Sequence, residues 1–126
     1  MNNPTKDIRA ILGDSSSIFI AVEPDVAQLN NCETLYDVSS EYKTDVTTQI
    51  ETCKVQIRIR NNSYETGYAL GQSYFDTLHN YINSSYNGSI IIDIKCLSGV
   101  TYLTKIDNNY IFVMNFKIMR KSTTWA

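Results

Sequence analysis

From Lys54 to Arg60 polar and apolar residues alternate, with Val55, Ile57 and Ile59 on one side and Lys54, Gln56, Arg58 and Arg60 on the other. A period of two predicts a strand with one buried face. Asn61-Asn62-Ser63 interrupts it with residues that favour turns and helix starts. From Tyr64 the period changes: Leu70, Tyr74, Leu78 and then Tyr81 or Ile82 recur three or four apart, with Phe75 beside them. That spacing predicts a helix, ending near Asn83-Ser84-Ser85. Gly88 marks a turn, and Ser89 to Ile94 reads as a second strand with Ile90, Ile92 and Ile94 on one face. This crossover lets one helix cover the apolar faces of two strands, most simply parallel ones.

Pro4 to Leu12 predicts a short helix, with Asn3 as cap, Pro4 in its first turn, an Ile8-Ile11-Leu12 stripe and Gly13 at its end. Ser17 to Val22 is apolar and β-branched, which predicts a strand with both faces at least partly covered; Pro24 ends it. Cys32 to Val38 is a weaker strand. Ser39 to Thr52 is rich in Ser and Thr without a helical stripe, which suggests a protruding hairpin arm or loop. Leu97-Ser98-Gly99-Val100 is expected to turn the chain, and Asp107-Asn108-Asn109 is a second turn signal. The last strand, Tyr110 to Met119, is partly apolar on both faces, and residues 120–126 read as a polar tail.

These elements predict an α+β fold: a single mixed β-sheet of about five strands, two helices packed on one face, in the order α-β-β-β-α-β-β. The whole chain, 1–126, is one domain. A sheet covered on one face should carry polar residues on the other. The strands at 18–22 and 110–119 break that rule, so some of the uncovered face is expected to meet another protein surface.

Composition narrows the function classes. Charged residues are 19% and the net charge is -2, with no basic tract to bind nucleic acid non-specifically. No apolar run approaches the roughly 20 residues that cross a bilayer, and the first residues lack the apolar segment of a secretory signal. Cys32, Cys53 and Cys96 are widely spaced, which points to reduced thiols in a cytosolic setting. His79 has no second His or Cys at ligand spacing, so no metal or other cofactor is expected, and the acids form no recognisable pair. No nucleophile, base and orienter converge in the sequence, so an enzyme is not expected. Gly67-Tyr68-Ala69-Leu70-Gly71 suits close packing of the helix on the sheet. Arg58 and Arg60 project together: either they grip an acidic partner or they form a solvated strand face.

IFIAVEPD, then VQIRIRNNSYETGYALGQSYFDTLHNYI, then a glycine-led strand and YLTKIDNNYIFVMNFKI follow one another here. In that order they resemble the tail terminator and minor capsid family of long-tailed bacteriophages. Arg58-Ile59-Arg60, Tyr64, Leu78, Leu103, Asp107, Phe112 and Asn115 stand at the comparable places, and Asn109 stands where that family commonly has glycine or arginine. The resemblance implies a structural virion protein, a hexameric ring that caps the tail tube, stops its polymerisation and offers the tail side of the head-tail joint. Implied partners are further copies of itself, the tube protein and a head-side connector, with DNA passing through the lumen and no membrane contact; assembly would occur in the host cytoplasm. Candidate subunit or tube contacts are Arg58, Arg60, Tyr42, Lys43, Asp45, Thr47, Gln49, Phe19, Val113 and Lys117. Two other readings stay open: a head-completion or neck connector, and a small α+β binding domain that dimerises through its sheet.

Overall fold

The computed structural model describes residues 3–26, 29–44, 49–82, 84–86 and 88–122, with the backbone alone at 40–44, 49 and 84–86. Its elements are α1 (Pro4–Ile11), β1 (Ile18–Ile20), β2 (Cys32–Thr44), β3 (Gln49–Asn61), α2 (Tyr64–Leu78), β4 (Ser84–Tyr86), β5 (Ser89–Ile106) and β6 (Asn109–Ser122). They build one mixed sheet in the order β1-β2-β3-β6-β5-β4. The β1–β2 pair is parallel and the other pairs are antiparallel. The α+β class, the single mixed sheet and the α-β-β-β-α-β-β order are as the pattern predicts; the three-residue β4 is an extra strand at the margin. Strands β3 and β5 do run the same way, but β6 lies between them and pairs with both.

Both helices pack on one face. Ile8 of α1 and Tyr74 and Leu78 of α2 join Val55, Ile57 and Ile59 of β3 and Phe112, Met114, Phe116 and Ile118 of β6 in one core. Each such side chain taken from water contributes about 1.5–3 kcal/mol before chain entropy is subtracted, so this face carries the fold. Val55, Ile57 and Ile59 are directly opposite Phe116, Met114 and Phe112, which gives three tightly matched apolar rows.

Local chemistry explains the element ends. Helix α1 begins with Pro at its first turn and stops in a Schellman turn: Gly13 has φ +95°, its N–H donates to Ala10 O (3.1 Å), and the Asp14 N–H donates to Arg9 O (2.9 Å). Ser63 caps α2, its Oγ accepting from the Thr66 N–H at 3.3 Å. Asp107 and Asn108 both have positive φ, 49° and 64°, the pair of left-handed residues that a two-residue hairpin turn requires.

Four boundaries differ from the pattern. Helix α2 ends at Leu78, short of Asn83, because the His79 imidazole and the Asn80 N–H are taken by β5: the Cys96 N–H donates to His79 Nδ1 (3.0 Å), and Asn80 N–H donates to Ile94 O (2.7 Å). Leu97 to Val100 is no turn. Strand β5 passes straight through it, and register shifts along the β5–β6 ladder absorb its extra residues. One of those shifts, between Ile91 and Asp93, puts Ile91 and Ile94 on the buried face in place of the expected Ile90, Ile92 and Ile94. The expected polar tail begins inside β6: Arg120 is 3% exposed and the strand continues to Ser122. The Ser39 to Thr52 arm is ladder on both sides of its tip, from Ser39↔Lys54 to Thr44↔Gln49.

Candidate assembly surfaces

On the helix-covered face Arg120 is the one buried cation of β6. Its Nη1 donates to Asp7 Oδ2 (2.8 Å) and its Nε to Glu51 Oε1 (2.5 Å), tying α1 to β3 and β6. Burial by itself disfavours the charged guanidinium, but these two carboxylates more than offset it and hold its pKa above the ordinary value. Glu33 is also buried on this side. The Tyr74 hydroxyl donates to its Oε1, and so does the Ser17 hydroxyl at 3.4 Å. Burial pushes the Glu33 carboxyl up despite these bonds, and burial, together with the neighbouring Glu33 carboxylate, pushes the Tyr74 phenol up as well. Asp7, Arg120 and Glu33 are buried within the chain.

The helix-free face holds Phe19, Arg58, Arg60, Val113 and Lys117. Arg58 and Arg60 do grip an acid, but it belongs to their own chain. Arg58 Nε lies 3.0 Å from Glu23 Oε1 and Arg60 Nη1 lies 3.4 Å from Glu23 Oε2. Arg60 also donates to the carbonyls of Pro24 (2.7 Å), Asn30 (3.1 Å) and Leu29, and is 5% exposed. It is the pin that holds Glu23, Pro24, Leu29 and Asn30 to the sheet. Phe19, Thr34, Arg58, Val113 and Thr101 form one row across five strands. Phe19 and Val113 are half-buried there. Two rows away Lys54, Lys117 and Lys95 stand opposite one another on β3, β6 and β5. Lys95 is drawn off to Asp93 (3.6 Å) and Asn80. Lys54 and Lys117 have no ion-pair partner among the described residues. Tyr42 and Lys43 lie on β2 and Gln49 opens β3; Asp45 and Thr47 lie outside the described residues.

The pattern places the spare apolar area on the free face; the structure puts most of it elsewhere. Leu97, Tyr102, Leu103 and Ile106 are about half exposed along the outer half of β5. Next to them Tyr64, Tyr102, Tyr110 and Phe112 form an aromatic knot, with Tyr64 5.5 Å from Tyr102, 5.5 Å from Tyr110 and 5.2 Å from Phe112. Gly67 and Gly71 let α2 approach this end. A methyl group added at Gly67 would come within 2.7 Å of Phe112, and one at Gly71 within 2.7 Å of Val100. Register shifts against β6 break the alternation along Leu97 to Ile106, so no period of two marks this edge as a strand.

His79 serves the β5 edge and stacks on Phe75, centroids 4.8 Å apart. Cys32, Cys53 and Cys96 are not joined in disulfides among the described residues. Among the described residues no group of His, Cys, Asp and Glu could hold a metal ion, and no helix is long and apolar enough to cross a membrane.

A mixed sheet is roofed by helices on one side, and on the other Arg58 and Arg60 are paired to Glu23. A profile of the bacteriophage tail terminator protein family matches residues 9–121, and the chain belongs to that family. It is a structural component of the phage tail, at the joint with the head. No curated protein sequence matches the chain. Among solved structures the fold resembles a chain from the virion of a native gene transfer agent particle, with a TM-score of 0.63 and 14% identity over 90% of this chain and 84% of that one.

Proposed function

We propose that copies of this chain close into a hexameric ring on the end of the tail tube, block addition of further tube subunits and present the opposite side of the ring to the head-side connector, with DNA passing through the lumen. The observation that carries this reading is the family match over 113 consecutive positions, residues 9–121, which takes in all of α2, the last three residues of α1 and every strand apart from Ser122 of β6. The mechanism is steric: a covered tube end has no free surface for the next subunit. The arm from Ser39 to Thr52, with Tyr42, Lys43, Asp45, Thr47 and Gln49, reaches the tube or the neighbouring copy, and Phe19, Val113 and Lys117 supply further contacts from the helix-free face.

Electron microscopy of the purified protein mixed with tail tubes tests the proposal. The expected result is a ring on one end of each tube and tubes that no longer lengthen. Binding to the head-side connector with none to the tube would make it a neck protein, and a dimer that ignores tubes would make it a small binding domain. Deleting residues 42–49 should leave a folded monomer by circular dichroism and abolish capping. Loss of structure in that variant would reject the assignment of the arm.

A further inference from the structure

Each outer strand of the sheet is half covered. Strand β1 pairs with β2 only at Glu33, Thr34 and Leu35, and the Ala21 N–H adds one bond to Leu35 O. Strand β4 pairs with β5 only at Ser89, Ile90 and Ile91, and His79 and Asn80 close the edge as far as Cys96. Beyond these, β2 from Tyr36 to Thr44 and β5 from Leu97 to Ile106 have a partner strand on one side only, among the described residues. The two open halves lie at opposite ends of the sheet. One row, Ile18, Glu33, Ile59, Phe112, Tyr102, joins β1 to the open half of β5. Another, Tyr42, Glu51, Arg120, Ile91, Ser84, joins the open half of β2 to β4.

Unpaired backbone over such a length, beside exposed Leu97 (50%), Leu103 (54%) and Ile106 (48%), is an aggregation hazard unless a defined partner takes it. The two edges differ in charge. Tyr36 to Thr44 carries Asp37, Glu41 and Lys43, net -1, whereas Leu97 to Ile106 carries Lys105 and no acid, net +1. They are also matched in length, nine residues against ten. We infer that the open half of β5 in one copy adds to the open half of β2 in the next, so that sheets join edge to edge, head to tail, around the ring. A contact between unlike edges leaves one copy with its β2 edge to use and the other with its β5 edge, so copies add head to tail until the first meets the last and the ring closes. A β5–β5 contact would stop at a dimer and leave β2 open. This inference rests on the ring reading above and names its joint.

The test uses two variants of the full chain, Leu103→Lys with Ile106→Lys, and Val38→Lys with Glu41→Lys. Leu103, Ile106 and Val38 are exposed, so both variants should melt with the wild type. In light scattering, under conditions where the wild type forms rings, each variant alone should remain monomeric. Their equimolar mixture should give dimers and nothing larger, because one intact edge of each kind survives. Rings from the first variant, dimers of the second variant alone, or a mixture that stays monomeric would each overturn the edge assignment while leaving the ring intact. A wild type that is monomeric both alone and on tube ends removes the ring reading and this inference together.

Discussion

Arg120 and Lys117 sit three residues apart on β6 and point to opposite faces of the same sheet. Arg120 is sealed beneath α1 between Asp7 and Glu51. Lys117 stands between Lys54 and Lys95, two further cations, on the face that no helix covers. Like charges directly opposite one another cost stability, and a solvated face keeps that cost small. The covered face is therefore complete in one copy. The other face is complete only where Arg60 pins the Glu23 segment onto it. The difference separates what the fold needs from what assembly is free to use.

Four substitutions would sharpen or break that contrast. The largest effect is expected for Ile57→Asp, which puts an unpaired charge at the middle of the helix-covered face, where Ile57 is wholly buried. It should not yield a folded monomer; a wild-type circular dichroism spectrum and melting curve would show that the face is misassigned. Next is Arg120→Met, which strands Asp7 and Glu51 without their cation and should cost about 3–5 kcal/mol in chemical denaturation. A loss below about 1 kcal/mol, the range of an exposed pair, would mean that the cluster is solvated.

Glu33→Gln tests the buried carboxyl. Because its folded pKa is raised, the stability this group contributes is full below its unfolded value of about 4.3 and is lost as pH rises through the folded value. The wild type should thus be less stable than the variant near pH 7, with the gap closing toward about pH 4.5. Parallel stability curves for the two proteins over that range would reject the assignment. The smallest effect is expected for Lys117→Glu, which places a carboxylate between Lys54 and Lys95 and should gain about 0.2–1 kcal/mol of monomer stability, diminishing with added salt. A destabilised monomer would show that Lys117 has a favourable role inside the chain.

Those outcomes bear on residues whose placement was unequally visible beforehand. The alternation of β3, the α1 stop at Gly13, the Ser63 cap and the Asp107-Asn108 turn were legible because each depends on residues within a few positions of one another. The acid gripped by Arg58 and Arg60 was not, since Glu23 lies more than 30 positions away and any of the acids could have served. The candidate contacts divide the same way: strand faces were readable, while which of them the chain's own loop already occupies was hidden.

By itself, then, the sequence determined the class of the fold, the order of its elements and the side of β3 that turns inward, because periodicity and capping are local properties of a chain. Only the tertiary structure decided that Leu97 to Val100 stays in one strand, that α2 stops where β5 takes His79 and Asn80, and that Arg120 is buried beneath α1. Each of those outcomes depends on a partner distant in sequence, whose N–H, carbonyl or carboxylate must be matched once water is excluded, and that matching is settled only when the strands have found their register.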